Sequence, residues 1–484
     1  MNIEEFREVW EENKELRELA AKDKDRLNYH IMPTSGWVND PNGLCQFKGV
    51  YHIYYQYSPF DVNGKLKLWG HITTEDFIKY QEHEPVLYPD FRYDQNGVYS
   101  GSAVVRNGKI NYFYTGNVKH LDGDYDYIMT GREQNLIACS SEDGFNFSEK
   151  ELIMTNTDFP SNLSLHVRDP KVYHKNGIDY MAIGARDDNS TGCILVLKGK
   201  DLKDWECHTV IYSDEKFGYM WECPDLFDLN GETVLVTCPQ GVPEEGYIYK
   251  NVHQSGYFLV NGDLESKDVN LSEFRLLDYG FDFYAPQSFE DESGRRILVG
   301  WMGIPDADYT NRTTENGWQH ALTMPRELIL KDGIIYQRPV EEIKALRGNM
   351  RTFAADEFKD LEVEDLSFEL CAEFEKCNEF KLNLRNDISL SFDKSKGLIE
   401  LNMGESGCGR DARYAYCDEI RNIDVYSDTS AFEIFINDGE IVFTTRAYTD
   451  GTQKIGFEKL DGLSKVCMYD MKKIVFGIDE FWFC

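Results

Sequence analysis

The sequence predicts an all-β protein: a five-bladed β-propeller followed by a C-terminal antiparallel β-sandwich, with a short N-terminal helix. Three observations support this prediction. The chain has 484 residues, more than the ~250–300 residues at which one hydrophobic core usually stops growing. A two-strand pattern recurs five times in the first two-thirds of the chain. The last third contains short segments that alternate apolar and polar residues, as half-buried antiparallel strands do.

The N-terminal segment has a helical periodicity. Between residues 3 and 24, apolar side chains recur among many charges at helical spacing, at Phe6, Val9, Trp10, Leu16 and Leu19. This spacing predicts a short amphipathic helix, and we assign residues 1–26 to an N-terminal helical extension. The segment is charged throughout and has no apolar central region, so we expect that it is not a secretory signal.

The repeated unit consists of a strand, a turn ending in glycine, and a second, apolar strand. The turn glycines recur at roughly 60-residue intervals, the size of a propeller blade with its loops, at Gly49, Gly108, Gly177, Gly231 and Gly294. We therefore predict a five-bladed propeller catalytic domain at residues 27–338. A helical linker is expected at residues 339–355 and a β-sandwich domain at residues 356–484.

Three acidic residues hold the same position in three of the units. Asp40, Asp169 and Glu222 each precede a turn glycine by eight or nine residues, where the other units have Tyr99 and Ala285. The segment around Asp40, WVNDPNG, could by itself be a plain turn. However, the first strands of a propeller line its central channel, so the three acids should converge there. Crowded carboxylates are costly for a fold, whereas paired carboxylates cleave glycosidic bonds, so we interpret them as catalytic.

Composition narrows the classes of ligand. The formal net charge is −34, which repels nucleic acid and anionic lipid, so we expect neither as a partner. No apolar run reaches the ~20 residues that span a bilayer. The 12 cysteines contain no CxxC pair and suit free thiols in a reducing cytoplasm. The histidines show no metal-ligand spacing, and we predict no metal and no cofactor.

Several motifs together resemble glycoside hydrolase family 32, which includes invertases, sucrose-6-phosphate hydrolases and fructan hydrolases. They follow the family's order from about residue 28 to the end: WVNDPNG, YYQYSP, WGHITTEDF, SGSAV, YTG, RDP, WECPDLF, LDYGFDFYAPQSF, GWQHALTMPREL and IFINDGEIVFTTR. The resemblance implies a propeller followed by a β-sandwich and a retaining cleavage of β-fructofuranosides. By motif, it implies that Asp40 is the nucleophile, Glu222 the general acid/base and Asp169 the stabiliser of the transition state.

The neighbours of these acids fit that division of roles. Trp221 and Cys223 offer Glu222 a less polar setting that would favour its protonated form, while Asn39, Asn42 and backbone amides should keep Asp40 ionised. Arg168 should favour the charged form of Asp169 and could hold substrate hydroxyls.

The resemblance also implies substrate-binding roles for Asn39, Gln56, Trp69, Ser100, Arg168 and Tyr284. For Trp69 and Tyr284, ordinary packing in the channel is as good an interpretation as sugar contact. Many relatives have histidine where this chain has Leu68, so the leaving-group side of the pocket could differ.

The expected substrate is a small sugar that enters the cytoplasm: sucrose, sucrose 6-phosphate or a short fructo-oligosaccharide. Sucrose or its 6-phosphate is preferred because long fructans would remain outside the cell. A non-catalytic carbohydrate-binding propeller is an alternative, and so is an inverting arabinan-type hydrolase, against which the NDPNG and ECPD motifs argue. The sequence gives no indication of the oligomeric state.

Overall fold

A computed structural model of the chain describes residues 1–354 and 357–478. The predicted domain boundary between residues 355 and 356 therefore lies outside the described residues, as do the last six residues of the predicted sandwich domain.

The N-terminal extension contains two helices, α1 (Ile3–Glu12) and α2 (Lys14–Ala21), where the sequence predicted one. The break falls at Asn13, whose side-chain amide donates to the carbonyl of Val9 at 2.8 Å and so competes with the helical backbone. Helix α1 packs Phe6 and Trp10 against Leu68 and Tyr88 of the first sheet. Neither helix has the length and apolar character needed to cross a lipid bilayer.

Residues 36–339 form five antiparallel sheets, with short two-residue strands beside three of them. The strands are β1 (Gly36–Phe47), β2 (Val50–Ser58), β3 (Leu68–Thr74), β4 (Lys79–Leu87), β5 (Val98–Arg106), β6 (Lys109–Lys119), β7 (Arg132–Ser141), β8 (Glu151–Met154), β9 (Leu163–Lys175), β10 (Ile178–Asp187), β11 (Gly192–Lys200), β12 (Lys203–Ile211), β13 (Met220–Leu229), β14 (Glu232–Gln240), β15 (Gly256–Asp263), β16 (Asp268–Leu271), β17 (Arg275–Leu276), β18 (Tyr284–Glu290), β19 (Arg296–Met302), β20 (Trp318–Gln319), β21 (Ala321–Leu322), β22 (Arg326–Lys331) and β23 (Ile334–Pro339).

The first strands of the five sheets contact one another in a closed cycle. β1 lies against β5, β5 against β9, β9 against β13, β13 against β18, and β18 against β1. Apolar side chains fill the spaces between successive sheets, as in the cluster that contains Met181, Leu195 and Phe113. The chain therefore surrounds a central channel lined by five first strands, as a propeller does.

Each first strand contains a β-bulge near its N-terminal end. Asp40 and Asp169 lie within bulges, whereas Glu222 is the last paired residue before one, opposite Cys238. The three acids thus lie at or next to the bulge of their first strands. A bulge inserts an extra residue into one strand, so a count back from the turn glycine gives the position of each acid only approximately.

The remaining strands form a two-sheet sandwich and one return strand: β24 (Arg347–Phe353), β25 (Leu361–Val363), β26 (Phe368–Phe374), β27 (Glu379–Asn383), β28 (Ser389–Asp393), β29 (Leu398–Asn402), β30 (Ala412–Tyr416), β31 (Asn422–Asp428), β32 (Ala431–Ile436), β33 (Ile441–Arg446), β34 (Gln453–Leu460), β35 (Leu463–Met471) and β36 (Val475–Ile478). One sheet has the order β24-β35-β26-β31-β32-β33 and the other β25-β34-β27-β28-β29-β30. The predicted all-β class, a propeller followed by a sandwich, is confirmed.

Two details differ from the predicted division of the chain. The helical segment after the propeller is a 3-10 helix at Glu341–Leu346, and the next residues already form the sandwich strand β24. The last described strand, β36, leaves the sandwich and pairs in parallel with β4 of the propeller. Alternation of apolar residues identifies strands, but it does not tell which sheet each strand joins.

Candidate active site

The three predicted acids meet at the end of the channel where the first strands begin. Asp40 and Glu222 are partly buried, and Asp169 is 4% exposed. The thiol of Cys223 lies 3.6 Å from a carboxylate oxygen of Asp40 and 3.6 Å from one of Asp169. The thiol therefore lies between the carboxylates of Asp40 and Asp169. The bulges aim the acids of β1, β9 and β13 at one point.

Asp40 is held by two side-chain donors. The hydroxyl of Ser100 donates to Oδ2 at 2.5 Å, and the amide of Asn39 donates to Oδ1 at 2.9 Å. Gln56 organises both donors, because its carbonyl accepts from Asn39 at 2.6 Å and its amide donates to Ser100 at 2.7 Å. Asn42, expected to serve Asp40, instead accepts from the backbone amide of Gly101.

Glu222 is surrounded by donors on both oxygens. Arg168 donates to Oε1 through Nε at 2.9 Å and through Nη2 at 2.5 Å. Gln240 and Tyr284 each donate to Oε2 at 2.7 Å. Trp221, expected to make this setting less polar, faces the other side of β13 and stacks on Phe258. That expectation is wrong because adjacent residues of a strand point to opposite faces.

The electrostatics of the site come from burial and from the crowding of like charges. Burial raises the pKa of Asp40, against the hydrogen bonds from Ser100 and Asn39. Burial also raises the pKa of Asp169 to about 7, since the charges of Glu222 and Asp40 add to it and Arg168 only partly opposes it. The expected repulsion among the acids is therefore present. Ser100 and Asn39 are the donors that favour the ionised form expected of Asp40, and burial opposes them.

The backbone and the thiol of Cys223 complete the setting of Asp169. The amide of Cys223 donates to its Oδ2 at 3.0 Å, and the amide of Asp169 itself donates to the hydroxyl of Thr115 at 2.9 Å. Both Asp169 and Cys223 have positive φ angles, 66° and 48°. A hydrogen bond with Cys238, burial and the charges of Asp169 and Asp40 raise the pKa of the Cys223 thiol, so it remains a protonated weak donor between two acids.

Of the six residues predicted to bind substrate, five lie at the site: Asn39, Gln56, Ser100, Arg168 and Tyr284. Trp69 is fully buried beneath them, where its indole donates to the carbonyl of Tyr99 at 3.0 Å. Its role is packing. Tyr284 contacts the site through its hydroxyl, because its ring is buried.

Lys67 reaches the site, whereas its neighbour Leu68 does not. Leu68 is 1% exposed and packs under helix α1. Lys67 donates to the side-chain oxygen of Asn39 at 2.7 Å and lies 4.9 Å from the ring centroid of Trp37. Burial lowers the pKa of Lys67 to about 7, against the attraction of Asp40.

Sequence reasoning missed Lys67, Gln240 and the bridging position of the Cys223 thiol. Gln240 ends β14 opposite Met220, two residues from the partner of Glu222 in the ladder. Pairing β13 with β14 residue by residue would have predicted that Gln240 lies near Glu222. The spacing of the repeats alone does not predict this contact.

One cluster in the described chain has metal-ligand geometry, formed by Glu369, Cys371 and Asp424 of the sandwich. Arg347 donates to both carboxylate oxygens of Glu369 at 2.5 Å. Glu369 is thus paired with Arg347, and the thiol of Cys371 lies 3.5 Å from Oε1 of Glu369.

Sequence profiles of two domains match the chain. The Glycosyl hydrolases family 32 N-terminal domain matches residues 30–339, and the Glycosyl hydrolases family 32 C terminal domain matches residues 342–466. Together they span the five sheets and most of the sandwich.

Known proteins are similar along nearly the whole chain. The sucrose-6-phosphate hydrolase of Bacillus subtilis is 36% identical over 462 residues, which cover 91% of this chain and 93% of that protein. The sucrose-6-phosphate hydrolase of Staphylococcus xylosus is also 36% identical, over 94% of each chain. The solved structure of a sucrose-6-phosphate hydrolase from Lactobacillus gasseri has a TM-score of 0.87 and 29% identity, covering 95% of this chain and 96% of that one.

Proposed function

The chain belongs to glycoside hydrolase family 32, and we propose that it removes terminal β-D-fructofuranosyl groups from sucrose or sucrose 6-phosphate with retention of configuration. It is a glycoside hydrolase of the β-fructofuranosidase type, as its relatives named sucrose-6-phosphate hydrolase and raffinose invertase are. The observation that carries the proposal is the convergence of Asp40, Asp169 and Glu222 at one end of the channel.

In the first step, Asp40 attacks the anomeric carbon while Glu222 protonates the glycosidic oxygen. The bond from that carbon to the leaving oxygen breaks, and an ester bond to Asp40 forms. Ser100 and Asn39 fix the attacking carboxylate. Arg168, Gln240 and Tyr284 supply hydrogen bonds to the carboxylate that Glu222 becomes when it has given up its proton. This arrangement favours proton transfer to the leaving group.

In the second step, Glu222 takes a proton from water as the water oxygen attacks the fructosyl carbon. The ester bond to Asp40 breaks, fructose leaves and both acids return to their starting forms. Asp169 accepts hydrogen bonds from fructosyl hydroxyls and stabilises the positive charge that develops on the ring in both transition states. Its low exposure strengthens that interaction because little water competes.

We propose a cytoplasmic location and a small substrate. Every cysteine that the structure describes is a free thiol, which suits a reducing compartment. Short fructo-oligosaccharides remain an alternative substrate for the same chemistry. A carbohydrate-binding role without catalysis would not require three acids crowded at one point, two of which, Asp40 and Asp169, have pKa values that burial and neighbouring charges raise.

The test combines the nucleophile variant with the stereochemistry of the product. Asp40→Ala should lower kcat on sucrose by about 10⁴-fold or more, since the covalent route is lost. Wild-type enzyme with methanol present should form methyl β-D-fructofuranoside, detected by NMR. Asp124→Ala is the matched control, because this aspartate is exposed in the loop between β6 and β7.

Thermal unfolding of Asp40→Ala should match that of the wild type. Activity of a folded Asp40→Ala within tenfold of the wild type, or a methyl α-fructofuranoside as the product, would overturn the proposal.

A further inference from the structure

A row of cationic side chains extends from the active site to the rim of the channel. Arg168 Nη1 and Arg132 Nη1 both approach Nδ1 of His166, at 2.7 Å and 3.4 Å. Nε2 of His166 lies 3.0 Å from the carbonyl oxygen of Tyr127, which can only accept, so Nε2 carries the proton and Nδ1 is the acceptor. His166 is thus a neutral spacer that holds Arg132 beside Arg168.

Arg132 faces a second cation. Lys119 is its direct cross-strand partner in the β6–β7 ladder, and like charges directly opposite one another destabilise a sheet. Within the part of the chain that the structure describes, neither side chain forms an ion pair with a carboxylate. The nearby Glu133 is paired with Arg92 and His120 instead. A bound anion would relieve this repulsion.

Arg132 also has an unused hydrogen-bond donor. Its Nε is buried and has no hydrogen-bond partner among the described residues. Such a group costs free energy unless something pairs with it. Asp126 in the adjoining loop cannot easily serve, because it accepts the backbone amides of Ile128, Met129 and Thr130. The donor is therefore available to a ligand.

The exposure of the three cations indicates which part of a substrate would reach them. Arg168 is 8% exposed, Arg132 is partly buried and Lys119 is exposed. The fructosyl group occupies the closed end beside Asp40 and Asp169, so the group that extends past Glu222 towards the rim is the leaving group.

We propose that Arg132 and Lys119 bind a phosphate on the leaving group, so that sucrose phosphorylated on its glucosyl unit is the preferred substrate. This inference rests on the proposed function and specifies its substrate. Phosphate oxygens suit guanidinium and ammonium donors. The net charge of −34 does not prevent this, because charges beyond about 8 Å are screened at physiological ionic strength.

The experiment measures kcat/KM for sucrose 6-phosphate and for sucrose. The wild type should prefer the phosphorylated substrate at least tenfold. Arg132→Met should lower the ratio of the two constants by tenfold or more, and Lys119→Met by threefold or more, mainly through KM of sucrose 6-phosphate. Glucose 6-phosphate should inhibit the wild type more strongly than glucose does, and this difference should shrink in both variants.

Lys216→Met is the matched control, because Lys216 is an exposed cation in the segment just before β13, and the ratio of its two constants should equal that of the wild type. Arg132→Lys, which keeps the charge, should retain part of the preference. If neither substrate is cleaved, the proposed function fails. If sucrose is cleaved but the wild type shows no preference, or if Arg132→Met and Lys119→Met lower both constants equally, the phosphate site is refuted.

Discussion

The hydrogen bonds to Asp40 influence whether its side chain is a carboxylate or a carboxylic acid when substrate binds. Burial raises its pKa, and the donors Ser100 and Asn39 lower it. Asp40 attacks as a carboxylate, so activity should fall on the acid side as the pH drops through this pKa. We therefore expect the acid limb of the kcat/KM profile to lie above the ordinary range for aspartate.

The first residue-scale prediction follows from removing one of these donors. Ser100→Ala should move the acid limb of the kcat/KM profile to higher pH, because a donor that favours the carboxylate is lost. At neutral pH, kcat/KM should fall by about tenfold, the effect expected for a hydrogen bond to a charged group. Ser102→Ala is the control, since its buried hydroxyl on the same strand donates to the carbonyl of Pro170.

A profile for Ser100→Ala whose acid limb coincides with that of the wild type would contradict the assignment of this limb to Asp40. An equal shift in Ser102→Ala would attribute the change to the strand as a whole.

The identity of the catalytic acids could be predicted from sequence, but the partners of each acid could not. Arg168 directly precedes Asp169 in the chain, and its charge favours the ionised form of Asp169, as adjacency suggested. In the structure it donates to Glu222, which belongs to another sheet. Such pairings depend on how the sheets pack around the channel. This packing cannot be inferred from a single sequence.

At the scale of elements, the bulges of the first strands position the site. A bulge adds a residue and bends its strand, so neighbouring side chains of β9 and β13 can both face the channel. The repeat in the sequence predicted the strands and their order. It could not predict the bulges, because a bulge changes hydrogen-bond register without a residue type that marks it.

The sequence predicted that the N-terminal extension is helical, but it did not predict which residues the helix contacts. Trp10→Ala should lower the free energy of unfolding by about 3 kcal/mol, the usual cost of truncating a buried aromatic residue, because Trp10 is 4% exposed against Phe6, Leu68 and Tyr88. Urea unfolding and limited proteolysis of residues 1–26 would measure this loss.

The control for Trp10→Ala is Leu19→Ala, since Leu19 of α2 is 46% exposed and should cost at most about 0.5 kcal/mol. Equal effects of the two variants would mean that α1 does not dock on the first sheet in solution.

At the scale of the whole molecule, buried charges join the propeller to the sandwich. His30 lies 2.9 Å from Asp428 and 3.0 Å from Glu433, both on sandwich strands. Arg326 of the propeller donates to the other oxygen of Glu433 at 2.5 Å and to Asp278 at 3.3 Å. The five residues are fully or almost fully buried, so each charge depends on its partners.

This network could not be predicted from the sequence. Its members are separated by up to several hundred residues, and a buried histidine or arginine has no local pattern that reveals its partner. The two domains were predictable because hydrophobic periodicity is local. The contacts that fix one domain against the other are not.

The final prediction concerns the pH dependence of that network. Burial alone would lower the pKa of His30, but its hydrogen bonds to Asp428 and Glu433 raise it to about 9, above the unfolded value of ~6.5. A raised pKa means that the folded state binds the proton more tightly. The resulting stability is therefore fully present below about pH 6.5 and is lost as the pH rises through about 9.

His30→Gln should thus destabilise the protein by about 3 kcal/mol at pH 6, where it removes one partner of a buried ion pair. The difference from the wild type should shrink steadily between pH 6.5 and 9.5, as the wild type loses the same proton. Urea unfolding of both proteins across this range would measure it. His174→Gln is the control, because this histidine is 47% exposed beside Asp179, so its replacement should have only a small effect. A constant difference between the wild type and His30→Gln from pH 6 to 9.5 would mean that His30 is not protonated in the folded protein.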